Sequence, residues 1–317
     1  MAVKLTGLTF LGFGVETTQG TPETPTGFMP IRQPKPQDVL KYVPDTGNRG
    51  YAAQTYGEYL GVVSSTYDFD GDFYPTSTVN LLANVMGTDT VTGTAVPYTH
   101  TLTLAATPGT LTVSDYYVAG FRQWPGVKVE KLAIKFTPDA GVTYTATCLG
   151  WPSVSGTAPT TWTFATQPFF LGWEAALTLN NVSTLSLTEA TITIARQKSE
   201  VLFSAQNSNA PFDTFVGLME ATWDLTFYME ADTQYVLALT EQQIPVQLAF
   251  TIPGSGGDTL TFTSSAVQFT KPTIVRSQEY VEVTLSGTGI YNATDHGPIQ
   301  AVATNSVATA FTTTSSN

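Results

Sequence analysis

From Gly57 onward the chain is written in short apolar runs of Val, Ile, Leu and aromatic residues, interleaved with Thr and separated by Gly, Pro, Asn and Asp. That pattern predicts a succession of short strands joined by turns. Alternation is clearest at Tyr144, Ala146 and Cys148 against Thr143, Thr145 and Thr147, and returns at Val281, Val283 and Leu285 against Tyr280, Glu282 and Thr284. Successive side chains of a strand point to opposite faces, so each run predicts an antiparallel strand with one apolar and one polar face. The two runs close on Gly150 and Gly287. The expected class is mainly β.

A longer pattern lies above these strands. The segment LGVVSSTYDF at 60–69 aligns without gaps with VGLMEATWDL at 216–225, an offset of 156 residues (216 minus 60). Gly61, Thr66 and Asp68 meet Gly217, Thr222 and Asp224, while Tyr67 meets Trp223 and Phe69 meets Leu225. After each segment comes a stretch that predicts a short helix, PTSTVNLLANVMG at 75–87 and EADTQYVLALTEQ at 230–242. Thr76 or Ser77 is placed to cap the first and Asp232 the second, and Gly87 to end the first. The repeated order of strand, helix and later strand implies two copies of one β-rich domain, 1–155 and 156–317, with TAPTT at 157–161 near the junction. Gly61, Tyr67, Gly217 and Trp223 mark the core of the repeat.

Three segments depart from the strand pattern. Residues 21–47 hold Pro22, Pro25, Pro30, Pro34, Pro36 and Pro44, which predicts an extended arm or long loop. GSGG at 254–257 follows Pro253 and predicts a flexible turn. The closing AVATNSVATAFTTTSSN is poor in charge and rich in small residues, which predicts a loose terminal tail.

Composition narrows the functional classes. Only 12% of residues are charged, and Thr, Ser, Asn and Gln carry most of the polarity, a surface suited to close contact with other protein. The net charge of −12 repels phosphate backbones and disfavours sequence-specific nucleic-acid binding. Cys148 is the only cysteine, which excludes an intrachain disulfide framework and a cysteine-based zinc cluster and fits folding in a reducing cytoplasm. The opening MAVKLTGLTFLGFGVETTQG has one lysine and no clear small-residue cleavage site, so an export signal is not expected. No apolar run reaches the roughly 20 residues of a membrane-spanning helix.

Candidate chemistry is sparse. Asp68, Asp70 and Asp72 alternate, so a strand would present all three carboxylates on one face. Calcium favours clustered oxygens, but the spacing is not that of a helical calcium loop and the second copy keeps only Asp224. A solvated acidic face is the favoured reading, with no metal. His100 and His296 lie nearly a chain length apart and read as surface or turn residues. No GxSxG elbow, P-loop or dinucleotide fingerprint occurs, and Cys148 falls on the apolar face of its strand. Trp124, Trp151, Trp162, Trp173 and Trp223 could stack sugars or bases, though most are expected in the core or at interfaces. No catalytic residue and no cofactor is expected.

The sequence resembles the tail tube (major tail) proteins of siphophages. The resemblance opens with Gly14, Glu16, Thr17, Thr18, Gly20, Thr21 and Pro22, in the family's Gly-x-Glu-Thr-Thr-x-Gly-Thr-Pro pattern. It continues through GEYLG at 57–61, KVEKLAIKF at 128–136, PFFLGWEAALTLNN at 168–181 and VEVTLSGTGIYN at 281–292. It implies a duplicated tail-tube-like β-sandwich or sheet domain with a short flanking α-helix in each copy. It further implies a structural subunit of the virion tail, assembled in the host cytoplasm, and no enzyme. Two fused copies imply a trimeric ring that is pseudo-hexameric, stacked into a tube with a negatively charged lumen for DNA ejection. Three chains at −12 carry −36 per ring, and Asp68, Asp70 and Asp72 are candidates for the luminal face. The implied partners are other copies of the chain, the tape measure protein, the tail terminator, the distal tail tip and passing genomic DNA. The alternatives are a phage decoration or adhesin-like β module, and a carbohydrate-active protein, which would need a convergent carboxylate pair.

Overall fold

The computed structural model describes residues 6–164, 166–205, 208–240, 242–254, 257–276 and 279–312. The first half contains β1 (Phe10–Val15), β2 (Gly27–Met29), β3 (Lys35–Asp45), β4 (Gly57–Asp72), α1 (Val79–Met86), β5 (Gly87–Thr92), β6 (Tyr98–Leu104), β7 (Leu111–Tyr116), β8 (Phe121–Phe136), β9 (Thr143–Gly150) and β10 (Val154–Ser155). The second contains β11 (Ala175–Leu179), β12 (Val182–Thr184), β13 (Leu187–Arg196), β14 (Glu200–Leu202), β15 (Asp213–Phe215), β16 (Met219–Tyr228), α2 (Thr233–Thr240), β17 (Ile244–Thr251), β18 (Thr259–Phe269), β19 (Thr273–Val275), β20 (Glu282–Gly289) and β21 (Gln300–Asn305). The mainly β expectation holds, and every strand pairing among the described residues is antiparallel.

One layer runs without a break through both halves in the order β3, β4, β9, β8, β13, β16, β20, β19. Behind it, β2, β1 and β7 pair in turn and reach the early part of β8, which also pairs with β10. In the second half the corresponding layer is β12, β11, β17, β18 and β21, extended by β6 and β5. The long strands β8 and β18 belong to both layers. The pairing of β8 with β7 slips between Leu111 and Val113, around Pro125 and Gly126, where Gly126 takes φ +63. An extra residue there bends the strand, as bulges do, and hands it from one layer to the other.

The core fills the space between layers. Tyr67 meets Trp124 edge-on at 5.1 Å, and Phe136 meets Phe250 at 5.1 Å, so aromatic packing continues from the first half into the second. All eight residues of α1 are buried, whereas α2 buries only Ala238. No helix among the described residues is long and apolar enough to cross a membrane.

Several local expectations need correction. Helix α1 starts after Thr78, and neither Thr76 nor Ser77 caps it; the Thr78 hydroxyl accepts the Tyr74 N–H at 3.0 Å instead. Gly87 does end it, at φ 107 with its N–H donating to the Ala83 carbonyl. Asp232 precedes α2 and accepts the Val236 N–H through its backbone carbonyl. The proline-rich segment 21–47 is no loop throughout, because Lys35–Asp45 forms an edge strand in which Pro36 and Pro44 are tolerated. The predicted tail is ordered in its first part. Gln300–Asn305 is a strand between β18 and β6, and Phe311 packs on His100 at 4.6 Å; residues 313–317 lie outside the described residues. In register, Cys148 pairs with Tyr67 and Gly287 with Trp223. Gly254 and Gly257 take positive φ between β17 and β18, as a turn requires, while residues 255 and 256 lie outside the described set.

Candidate functional site

The eight-strand layer has one packed and one open face. On β4, Val63, Ser65, Tyr67, Phe69 and Gly71 are buried, while Ser64, Thr66, Asp68, Asp70 and Asp72 alternate with them on the open side. The three aspartates therefore share a face, as their spacing predicts. The open face continues through Thr143, Thr145 and Thr147 of β9, Thr191 and Thr193 of β13, Thr222, Asp224 and Thr226 of β16, and Thr284 and Ser286 of β20. Small hydroxyls dominate it, with carboxylates between them and with Lys35 of β3 and Lys131 and Lys135 of β8 opposite Asp68, Thr147 and Thr143. Asp72 is paired with Arg32, and Lys135 meets Glu189 at 2.7 Å across the junction of β8 and β13. Burial first, and then the neighbouring charge of Asp68, raises the Glu130 carboxyl above its ordinary range. Among the described residues, no three His, Cys, Asp or Glu side chains converge to hold a metal.

The layer ends in two edges. At one, β3 pairs with β4 alone, and ten of its eleven residues are exposed. The β3–β4 hairpin extends beyond β9, which covers only residues 65–72 of β4, and it exposes Tyr42, Val43, Tyr59 and Leu60. At the other edge, β19 pairs with β20 alone. Edges of this kind leave backbone donors and acceptors free to template another strand.

The residues expected to mark a repeat are two buried aromatics and two half-buried glycines. Tyr67 and Trp223 are fully buried; Tyr67 donates its hydroxyl hydrogen to Asp115 at 2.6 Å and Trp223 its indole hydrogen to Ser264 at 3.0 Å. Gly61 and Gly217 are half-buried instead of core, and their role is close approach. A Cβ on Gly61 would stand 2.9 Å from the Lys41 carbonyl oxygen, and one on Gly217 would stand 1.9 Å from that of Gln197. Lys41 and Gln197 differ by the same 156 positions (197 minus 41) as the two glycines.

The other candidates divide. Cys148 is buried, and burial pushes its thiol far above the ordinary range. Trp124 and Trp223 are core residues, whereas Trp162 and Trp173 are exposed. His296 occupies a positive-φ turn. His100 is no surface residue: it is fully buried, with Nδ1 2.9 Å from Asp89 and Nε2 2.9 Å from the Val307 carbonyl. Asp89 also accepts the Phe311 N–H at 2.8 Å, so this cluster pins residues 307–311 to β5 and β6.

Two residues anchor the fold in a way that the sequence pattern does not reveal. Glu16, 2% exposed, accepts hydrogen bonds from Gly20 N–H at 2.9 Å, Thr110 at 2.7 Å, Thr112 at 2.8 Å and Gly126 N–H at 2.7 Å. Gly20 and Gly126 both close on the Trp151 ring, which explains the glycine that follows the Glu-Thr-Thr run. A solitary acid just after an apolar strand and just before turn residues was the available signal. Arg196, at the end of β13, donates from Nε and Nη2 to the carbonyls of Val85 and Met86, both at 2.7 Å, closing the end of α1. Burial brings its pKa down to about 10.

A model of the phage tail tube protein family matches residues 7–289. No curated protein matches the chain.

Proposed function

This chain belongs to the phage tail tube protein family, so it is a structural subunit that assembles with its own copies in a virion tail; we propose that three chains, each two copies of one domain, close a ring around a DNA channel. The observation that carries this reading is the unbroken eight-strand layer, with a hydroxyl and carboxylate face and a free edge at each end. Duplication is supported by the shared offset of the two glycines and the carbonyls they approach, and by the parallel order of pairings in the two halves. The domains then run 1–155 and 156–317.

Three such layers joined edge to edge give about 24 strands. At about 4.8 Å per strand and a tilt of about 40°, their backbone circle is about 48 Å across, which leaves room for a DNA duplex inside the side chains. Closure also removes every edge of the layer. Facing the lumen, Asp68, Asp70 and Asp72 repel phosphate, and cations of that face stand against acids: Arg32 on Asp72, Lys35 opposite Asp68 and Lys135 on Glu189. The exposed aromatic tip of the β3–β4 hairpin supplies apolar contact between stacked rings. The tape measure protein, terminator and distal tip are the remaining contacts, and no chemical turnover is involved.

Negative-stain imaging of the full chain over a concentration series tests this reading. Rings or hollow tubes are expected; a compact monomer that stays single even with tail tip and tape measure added would favour the adhesin-like alternative.

A further inference from the structure

The chain carries its own template for the joint between copies. Within one chain, β8 pairs with β13 so that Lys131 faces Ala195, Leu132 faces Ile194 and Ile134 faces Ile192. The two outer edges are the counterparts of these strands. Tyr67 lies between Pro36 and Cys148 as Trp223 lies between Ile192 and Gly287, so β3 stands in the place of β13. Tyr144 and Val283 face Gly71 and Phe227, four residues after Tyr67 and Trp223, and their outer neighbours are Ile134 and Ile274. That puts β19 in the place of β8.

Resting on the ring reading above, we infer that β19 of one chain pairs with β3 of a second copy in the β8–β13 register, and that prolines halve the hydrogen bonding of this joint. The register sets Thr273 opposite Gln37, Ile274 opposite Pro36, and Pro272 opposite Asp38.

Backbone directions follow from the observed bonds. Phe73 N–H donates to the Val142 carbonyl in continuation of β4 and β9, so odd-numbered residues of β4 address β9 and even-numbered ones address β3. Lys35, Gln37 and Val39, opposite Asp68, Thr66 and Ser64, thus turn their N–H groups to β4, and Pro36 and Asp38 turn outward. At the other edge Thr270 N–H donates to the Ser286 carbonyl, so Ser286 and Thr284 face this side, Thr273 and Val275 bond inward, and Pro272 and Ile274 turn outward.

In the internal joint the facing pairs, Ile192 with Ile134 and Ile194 with Leu132, contain no proline, and such pairs exchange two bonds each. Between copies, Pro36 has no N–H but accepts from Ile274, and Pro272 has none but accepts from Asp38. Each pair keeps one bond, and no pair sets proline against proline. The helices complete the match. Arg196 covers the end of α1 inside the chain; its counterpart on β3 is Leu40, exposed, and α2 exposes Val236 and, in its last turn, Leu239. In the joint Leu40 covers that turn, replacing a buried charge by apolar contact. Weakened edges keep single chains apart, and the ring holds because its joints close together.

The test uses the full chain carrying Gln37→Cys and Thr273→Cys. Opposed residues whose backbones point away from each other have Cα atoms about 4.5 Å apart, within disulfide reach, and buried Cys148 adds no background. After oxidation of assembled protein, a non-reducing gel is expected to show chain-to-chain cross-links up to three chains. Tubes that cross-link through Gln37→Cys with Val275→Cys instead would overturn the register and leave the ring reading standing; absence of both assembly and cross-links would sink both. For the prolines, Pro36→Val with Pro272→Val is expected to strengthen association about five-fold per restored bond. Association unchanged or weakened in light scattering would refute their role.

Discussion

Replacing Glu16 by glutamine is the sharpest test of how the first half is held together. Each carboxylate oxygen receives one hydroxyl, which can turn round, and one backbone N–H, which cannot: Gly126 N–H and Thr112 on Oε1, Gly20 N–H and Thr110 on Oε2. The Thr112 hydroxyl oxygen meanwhile accepts the Glu23 N–H at 3.0 Å, which ties the same cluster to the chain before β2. Whichever way the amide of Glu16→Gln is placed, its NH2 group confronts a fixed N–H donor. One bond to a charged acceptor is lost, worth about 1.5–3 kcal/mol, and a buried donor is left unmet, costing about 1–3 kcal/mol; release from burying a charge offsets part of this. A net loss of about 3 kcal/mol is expected, read as a lowered midpoint in urea denaturation of the unassembled chain. A variant within about 0.5 kcal/mol of the native chain would show that the carboxylate is not the anchor.

Gly217→Ala is expected to cost about 3 kcal/mol and Gly61→Ala about 1 kcal/mol, since the added Cβ meets a fixed carbonyl in both and the approach at Gly217 is closer; equal midpoints for the two variants would contradict this. Burial alone would lower the His100 pKa, but the hydrogen bond and charge of Asp89, with the Val307 carbonyl, outweigh it and raise the group above 6.5. Its contribution to stability is therefore full below pH 6.5 and lost as pH rises through the raised value. His100→Gln should accordingly destabilise more at pH 5.5 than at pH 8.5 in denaturant titrations, and a difference independent of pH would exclude the charged pair. Cys148 should resist a thiol reagent in the native chain and react at once in denaturant, so rapid native labelling would contradict its burial.

Much of the layer was legible because its chemistry is local. Period-two alternation at Tyr144–Cys148 and Val283–Leu285 fixed which side chains go inward, and Gly87 marked the helix end through a conformation that glycine adopts freely. The shared face of Asp68, Asp70 and Asp72 followed from spacing alone. What escaped notice depends on partners distant in sequence. Pro36 looks like a breaker until β4 is seen to pair with one side of its strand only. Residues 300–305, small and uncharged, form a strand because β18 and β6 flank them. His100 needed Val307, and Arg196 needed the end of α1, each more than 100 positions away.

The central claim is that each chain supplies two similar sectors of one closed layer, three chains to a ring. End-on averages of assembled tubes by electron cryomicroscopy test it most directly. Six sectors of two alternating kinds around an open channel, with true three-fold symmetry, are expected. Six identical chains per ring, or a tube whose layers leave β3 and β19 unpaired, would contradict it.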